Sequence, residues 1–364
     1  MFIVRSWRLS MSTKLQFLLK RTSKRTEEKK RSSNRLEEKK IVEIFQDSHR
    51  ELVAVEDNGN LDVEKQPALV FFGEENERFN IDELLNSEAE LQGQSFYSSL
   101  YKVKLNSGTV FVVKRLRNLR VSTEDFKSTV TWIGNLKHPN LLPLVACHAS
   151  DDDKLLIYRF QTGSLSNLLS NYAGGNRDFP WKFRLSIAYG IAKGLQYIEN
   201  VSCNRNMPHG NLKPSNILLN EFEEPQISEY GMQSLIDPKW EMLYSYNGYK
   251  APEKTLTEKA DIYSYGIILL QLLTGKAVDN SCIDLPQWVK AKIREEWTGE
   301  VFDSEVNRMA GQWALPLLNI ALQCVSHMPE QRPTISDTLE KIEHVIKEQD
   351  DFSFSSTSSV ECSK

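Results

Sequence analysis

The residues able to do chemistry in this 364-residue chain gather in a few short runs. His209-Gly210-Asn211-Leu212-Lys213-Pro214-Ser215-Asn216 brings together an imidazole, an ammonium and two carboxamides. A neutral amide is a negligible base, so Asn211 and Asn216 can hydrogen-bond but cannot take up a proton. Upstream, Lys114 ends the apolar run Phe111-Val112-Val113-Lys114. Downstream come Glu229-Tyr230-Gly231, Ala251-Pro252-Glu253, Asp261 and Arg332. These groups offer ion pairs and hydrogen bonds, with no base at Asn211. The cysteines Cys147, Cys203, Cys282, Cys324 and Cys362 are scattered, with no paired spacing and no Cys/His cluster. That predicts reduced thiols, an intracellular setting and no structural zinc. A net charge of -4 argues against nucleic acid as a partner.

Strands come before helices in the elements that must hold these residues. Ser98–Val103, Thr109–Leu116 and Lys154–Phe160 read as strands. Phe183–Glu199, Ala260–Leu273 and Trp313–Val325 carry apolar residues at helical spacing. This order predicts an α+β chain, a small β-rich N-lobe on a larger helical C-lobe. The boundaries read as a basic, largely disordered segment at 1–78, a folded domain at 79–347 (N-lobe about 79–160, C-lobe about 161–347) and a serine-rich, disordered tail at 348–364.

The run His209–Asn216 resembles the catalytic loop of protein kinases, H-R-D-L-K-P-S-N. Phe111–Lys114 resembles the V-A-I-K strand, Glu229-Tyr230-Gly231 stands where D-F-G belongs, and Ala251-Pro252-Glu253 matches A-P-E. Order and spacing agree throughout. Leu136–Leu144, Gly163-Ser164-Leu165, Asp284–Trp288 and Arg294–Trp297 are similar to plant leucine-rich-repeat receptor-like kinases, in particular those labelled "probable inactive". Such kinases carry an ectodomain and a membrane span before the kinase domain. This chain has neither, which reads either as a soluble relative or as a sequence lacking its upstream part.

The resemblance implies a bilobal kinase-like fold and assigns roles by position. Gly93, Lys114, Tyr158 (gatekeeper), Phe160 (hinge) and Asn216 would face a nucleotide, and Asn216 with Glu229 would hold magnesium. Glu253 and Arg332 would form a structural ion pair, and Asp261 would bind the catalytic-loop backbone. The departures fall on the chemistry. Asn211 replaces the aspartate base, a loss of typically about a hundred- to ten-thousand-fold. Gly210 replaces the arginine that clamps a phosphorylated activation loop. Glu229 keeps a carboxylate but lengthens it, where magnesium demands tight geometry. Gly93 alone remains of the glycine loop Gly93-Gln94-Ser95-Phe96-Tyr97-Ser98, which reads either as a strand with no ligand role or as one whose bulky Phe96-Tyr97 pair folds into the cleft. Thr129 stands where the glutamate partner of Lys114 belongs. Asp125, one helical turn earlier, is the candidate substitute.

The resulting expectation is a pseudokinase acting through protein interaction in receptor-type signalling, with ATP and magnesium binding weakened. Its partners would be other protein kinases or receptor-like kinases. The alternatives are a weakly active Ser/Thr kinase and a membrane-surface scaffold. Residues 1–40 mix lysines and arginines with Trp7, Phe17, Leu18 and Leu19, a composition suited either to an anionic membrane surface or to a disordered tail. The chain is expected in the cytoplasm, with the inner face of the plasma membrane as a further location. Ser234, Tyr244, Ser245, Tyr246 and the serines of the tail are candidate phosphorylation sites.

Overall fold

The computed structural model describes residues 69–361, except 74–77, 96, 118, 120, 151–152, 203–206, 237–247, 279–283 and 296–297. The chain divides into Met1–Gln66 and Pro67–Lys364, and every described residue belongs to the second unit. The basic segment 1–40, Phe96, Tyr244, Ser245 and Tyr246 lie outside the described residues.

Six antiparallel strands form the first lobe in the order β1-β5-β6-β4-β3-β2. They are β1 Val70–Phe71, β2 Glu88–Gln94, β3 Ser98–Lys104, β4 Val110–Leu116, β5 Leu144–Ala149 and β6 Lys154–Arg159. Two helices accompany them, α1 Ile81–Asn86 and α2 Thr123–Asn135. Alternation explains which side chains turn inward: Tyr101 and Val103 on β3, and Phe111 and Val113 on β4, are all buried. Lys114 points to the opposite face of β4 from Val113 and is buried too. In α2 the buried residues Phe126, Val130, Ile133 and Gly134 share one helical stripe, and the Ser122 side chain caps the helix by accepting the Asp125 N–H.

The folded body starts earlier than Phe79. Strand β1 pairs with β5, and the Phe72 N–H donates to Val145 O at 2.8 Å. The Phe72 ring lies so close to Gly134 of α2 that a Cβ there would meet ring carbon at 2.4 Å. Only glycine admits that approach. Phe79 continues the patch, its ring 5.2 Å from Phe71 and 4.8 Å from Phe111.

The second lobe is helical: α3 Leu165–Ala173, α4 Trp181–Ser202, α5 Glu258–Thr274, α6 Leu285–Arg294, α7 Ser304–Cys324 and α8 Ile335–Glu361. A small sheet, β7 Gly163–Ser164, β8 Ile217–Leu219 and β9 Pro225–Ile227, lies against it. Helix α5 is buried nearly all round, as a core helix must be when both its faces are apolar. It starts at a Thr257 cap and stops at Gly275 in the left-handed conformation, φ 67°. Helix α7 begins before the segment read from sequence and kinks at Ala310. The last helix runs on to Glu361, past Asp350, where serine-rich composition predicts disorder. Its first half is anchored by the buried Ile335, Leu339, Ile342 and Val345, and an anchored helix propagates at little cost per residue. A small β-rich lobe thus sits in one chain with a larger helical lobe, the α+β bilobal fold that the sequence implies.

Candidate functional site

The catalytic-loop residues are held from beneath by Asp261 at the start of α5. Its carboxylate accepts the His209 N–H at 2.7 Å and the Gly210 N–H at 2.8 Å. Burial pushes this carboxyl up, while the two amide bonds pull it down. His209 is fully buried. Its Nδ1 accepts the Asn211 N–H at 3.1 Å, which leaves the ring proton on Nε2, donated to Ser228 O at 2.8 Å. Burial lowers this imidazole to about 4, so it is neutral at physiological pH. His209 therefore acts as a backbone clip here.

Gly210 adopts φ 71°, and a Cβ there would meet Gln233 Cγ at 2.7 Å and Leu256 Cδ2 at 3.1 Å. The space where a side chain would project is filled by the segment following Glu229. Lys250 donates to Gly210 O.

Asn211 is buried. Its Nδ2 donates to Glu229 Oε2 at 3.3 Å, and its backbone oxygen accepts from Asn216 Nδ2 at 2.9 Å. Among the described residues, Asn211 Oδ1 meets no hydrogen-bond donor. Asn216 is turned toward the loop backbone by the 3₁₀ turn Pro214–Asn216. Here two carboxamides brace a loop, and Asn211 offers no basic lone pair for a substrate hydroxyl.

The partner of Lys114 differs from the one expected. Asp125 is exposed and engaged at the cap of α2 with Ser122, whose hydroxyl donates to Asp125 Oδ2 at 2.9 Å. Thr129 is half-buried and brings no charge. The carboxylate facing the Lys114 ammonium is Glu229, in a close ion pair. Glu229 sits at φ 66°, a left-handed conformation that costs a side-chain-bearing residue about 1–2 kcal/mol and aims its carboxylate inward. Burial raises this carboxyl. The Lys114 charge, with hydrogen bonds from Lys114 and Tyr97, outweighs that and holds it at about 2.

Tyr97 completes the group. It is 4% exposed, and its hydroxyl donates to Glu229 Oε2 at 2.5 Å. Lys114 Nζ lies 3.4 Å from that hydroxyl and 4.9 Å from the ring centroid. Tyr97 folds inward, one of the two readings left open for the Phe96-Tyr97 pair. Its hydrogen bond to Glu229 is a role sequence reasoning missed. Gly93 has no atom near enough to require a glycine and lies beside a register shift in the β2–β3 pairing. Tyr158 is buried on β6, and its burial pushes the phenol well above its usual value. The Phe160 N–H donates to Val110 O at 3.2 Å, and Lys102 Nζ lies 4.4 Å over the Phe160 ring.

Of the two residues expected to hold magnesium, Asn216 and Glu229, Glu229 is engaged elsewhere in this arrangement. Both Glu229 oxygens already accept bonds from Lys114, Tyr97 and Asn211, while Asn216 Nδ2 donates to the loop backbone and so leaves the metal-binding atom of that residue, Oδ1, out of this bond. Among the described residues, no group of three or more His, Cys, Asp or Glu side chains is placed to hold a metal. In this arrangement Glu229 would have to release Lys114 and Tyr97 before it could hold a metal.

Arg332 and Glu253 do meet. Arg332 Nη1 and Nη2 grip the Glu253 oxygens at 2.7 and 2.8 Å, with the Arg332 side chain fully buried. A second buried arginine was missed: Arg184 on α4 donates to Phe179 O at 2.7 Å and Leu272 O at 2.6 Å, and pairs with Asp303. An arginine on an otherwise apolar helical face is the signal that could have found it.

A family model described as protein tyrosine and serine/threonine kinase matches residues 89–342. The chain belongs to the protein kinase family. Among the relatives of this kinase-family chain are two Arabidopsis thaliana proteins named as probable inactive receptor kinases. One is 37% identical over 83% of this chain and 48% of its own length, the other 38% identical over 76% of this chain and 45% of its own length. The chain spans about half the length of these curated relatives. The maize SIRK1 kinase domain, solved with AMP-PNP, superposes with TM-score 0.67 at 29% identity, covering 76% of this chain and 99% of that one. The pseudokinase domain of BIR2, described as an immune regulator of the RLK/Pelle family, gives TM-score 0.68 at 27% identity over 79% and 92% of the two chains. The resemblance to plant receptor-like kinases therefore holds. No helix among the described residues is long and apolar enough to cross a membrane.

Proposed function

We propose that this chain is a catalytically impaired kinase module that acts in receptor-type signalling through contacts with other protein kinases or receptor-like kinases. The observation that carries this is Asn211: at the position of the family's catalytic aspartate stands a buried amide, spent on Glu229. Phosphoryl transfer depends on positioning and charge stabilisation, and here the positioning groups are bound to one another. The elements that hold the fold, Glu253 with Arg332 and Asp261 with the 209–210 amides, are complete. A complete scaffold with a silent centre suits a module read by its surface. The basic composition of residues 1–40 suits an anionic membrane face, which would bring the module to the inner side of the plasma membrane.

Calorimetric titration against kinase domains of plant receptor-like kinases tests this reading. It expects a saturable complex with at least one of them, formed equally well by Asn211→Ala. Absence of any complex, together with substrate phosphorylation by the wild type, would count against it.

A further inference from the structure

The side chains expected to face a nucleotide's phosphates and metal engage one another in this chain. In the kinase family the strand lysine meets nucleotide phosphates and the carboxylate of the D-F-G position meets the metal. Here Lys114 and Glu229 are each other's partners, and the Tyr97 phenol packs beside the pair, its hydroxyl on Glu229 Oε2 and its ring under the ammonium. The turn that delivers Tyr97 is closed in the same way. The Ser95 N–H donates to Ser98 O at 2.7 Å, the Ser98 N–H donates to Ser95 Oγ at 3.1 Å, and the two hydroxyls lie 2.9 Å apart. Backbone donors that a glycine-rich turn would aim at phosphate are turned onto the turn itself.

We propose that Tyr97, Lys114 and Glu229 form a latch that fills the phosphate end of the cleft, so that the folded chain excludes ATP rather than binding it weakly. The proposal rests on the reading of the chain as a kinase fold with a silent centre, and goes beyond it by naming what occupies the cleft and what would open it. Entry of a nucleotide requires Glu229 to release both Lys114 and Tyr97, and Tyr97 to leave its buried position. A closed state that dominates the population weakens apparent affinity by the same factor. Asn211, whose Nδ2 also holds Glu229, supports the latch from the catalytic-loop side.

The test is a fluorescent-ATP titration of the full chain, with and without magnesium, on wild type, Tyr97→Ala and Tyr97→Phe. The expected result is no saturable binding by the wild type at millimolar nucleotide and a gain of about tenfold or more in affinity for Tyr97→Ala. Tyr97→Phe loses only the bond to Glu229 and keeps the ring over Lys114, so it is expected to gain less; it serves if the alanine variant does not fold. Equal affinity in all three proteins, whether measurable or nil, overturns the latch. Nucleotide binding by the wild type would remove the latch and leave catalytic silence standing, because silence is read by phosphate transfer.

Discussion

Lys114→Ala is expected to unfold about 5–10 °C below the wild type, even though the position is one where an active kinase would register the loss in turnover. Lys114 is nearly wholly buried, with 5% of its side chain exposed against 19% for Glu229. Removing the ammonium leaves a carboxylate in a poorly hydrated site. Breaking a buried pair this way costs about 3–5 kcal/mol. We place the cost near the lower end, at about 3 kcal/mol, because Tyr97 and Asn211 still donate to Glu229. The pH dependence gives a second readout. In the wild type, Glu229 is held at about 2 when folded, against the usual 4.5, so it contributes stability above pH 4.5 that is lost as pH falls toward 2. That contribution is also about 3 kcal/mol. In Lys114→Ala, burial raises the carboxyl instead, so the gap between the two proteins opens as pH rises from about 2, is widest above the carboxyl's raised value in the variant, and narrows on acidification. Chemical denaturation at several pH values checks it. A variant as stable as the wild type at pH 7 would show that Glu229 is not held by Lys114. Adding Glu229→Gln to Lys114→Ala removes the stranded charge and is expected to recover part of the loss.

Arg332→Lys is expected to be more damaging still. The Arg332 guanidinium makes a two-pronged bond to Glu253 and also donates to Ser326 O at 2.9 Å, Lys259 O at 2.9 Å and His327 O at 3.3 Å. It lies 5.0 Å over the Tyr263 ring. A lysine keeps the charge but has a single nitrogen and cannot present a planar fork. The Glu253 carboxyl, raised by burial but brought below its usual range by Arg332, would be left half-satisfied, along with several carbonyls. The expected cost is about 4 kcal/mol or more, which for a domain of this size lowers the melting temperature by about 10 °C. Thermal unfolding followed by circular dichroism measures this. A shift within about 1 °C would show that charge alone, rather than the fork, secures this corner.

The fold was legible where local pattern carries it. Alternation in Thr109–Leu116 placed Lys114 on a strand, and helical spacing in 183–199 and 260–273 found the cores of α4 and α5. Partners far apart in sequence were not legible. Helical spacing offered Asp125 as the nearest acid to Lys114, but Asp125 is spent on the cap of α2, and the true partner lies 115 residues away. Tyr97 was recognisable as bulk in a turn that usually holds glycine, but its hydroxyl contact depends on the left-handed backbone at Glu229, which no periodicity reveals. The Arg184–Asp303 pair was hidden for the same reason. Composition also does not announce the elements at the two ends of the described chain. Val70-Phe71-Phe72 adds a strand and a close contact on Gly134 that a short apolar run does not announce, and the serine-rich end continues a helix anchored upstream.

Catalytic silence, as proposed, means that this kinase fold does not transfer phosphate. The most direct measurement is transfer of radiolabelled γ-phosphate from ATP to itself or to a generic protein substrate, with magnesium or manganese, comparing wild type with Lys114→Ala. Counts at background are expected for both proteins. Incorporation by the wild type that disappears in Lys114→Ala would contradict that silence.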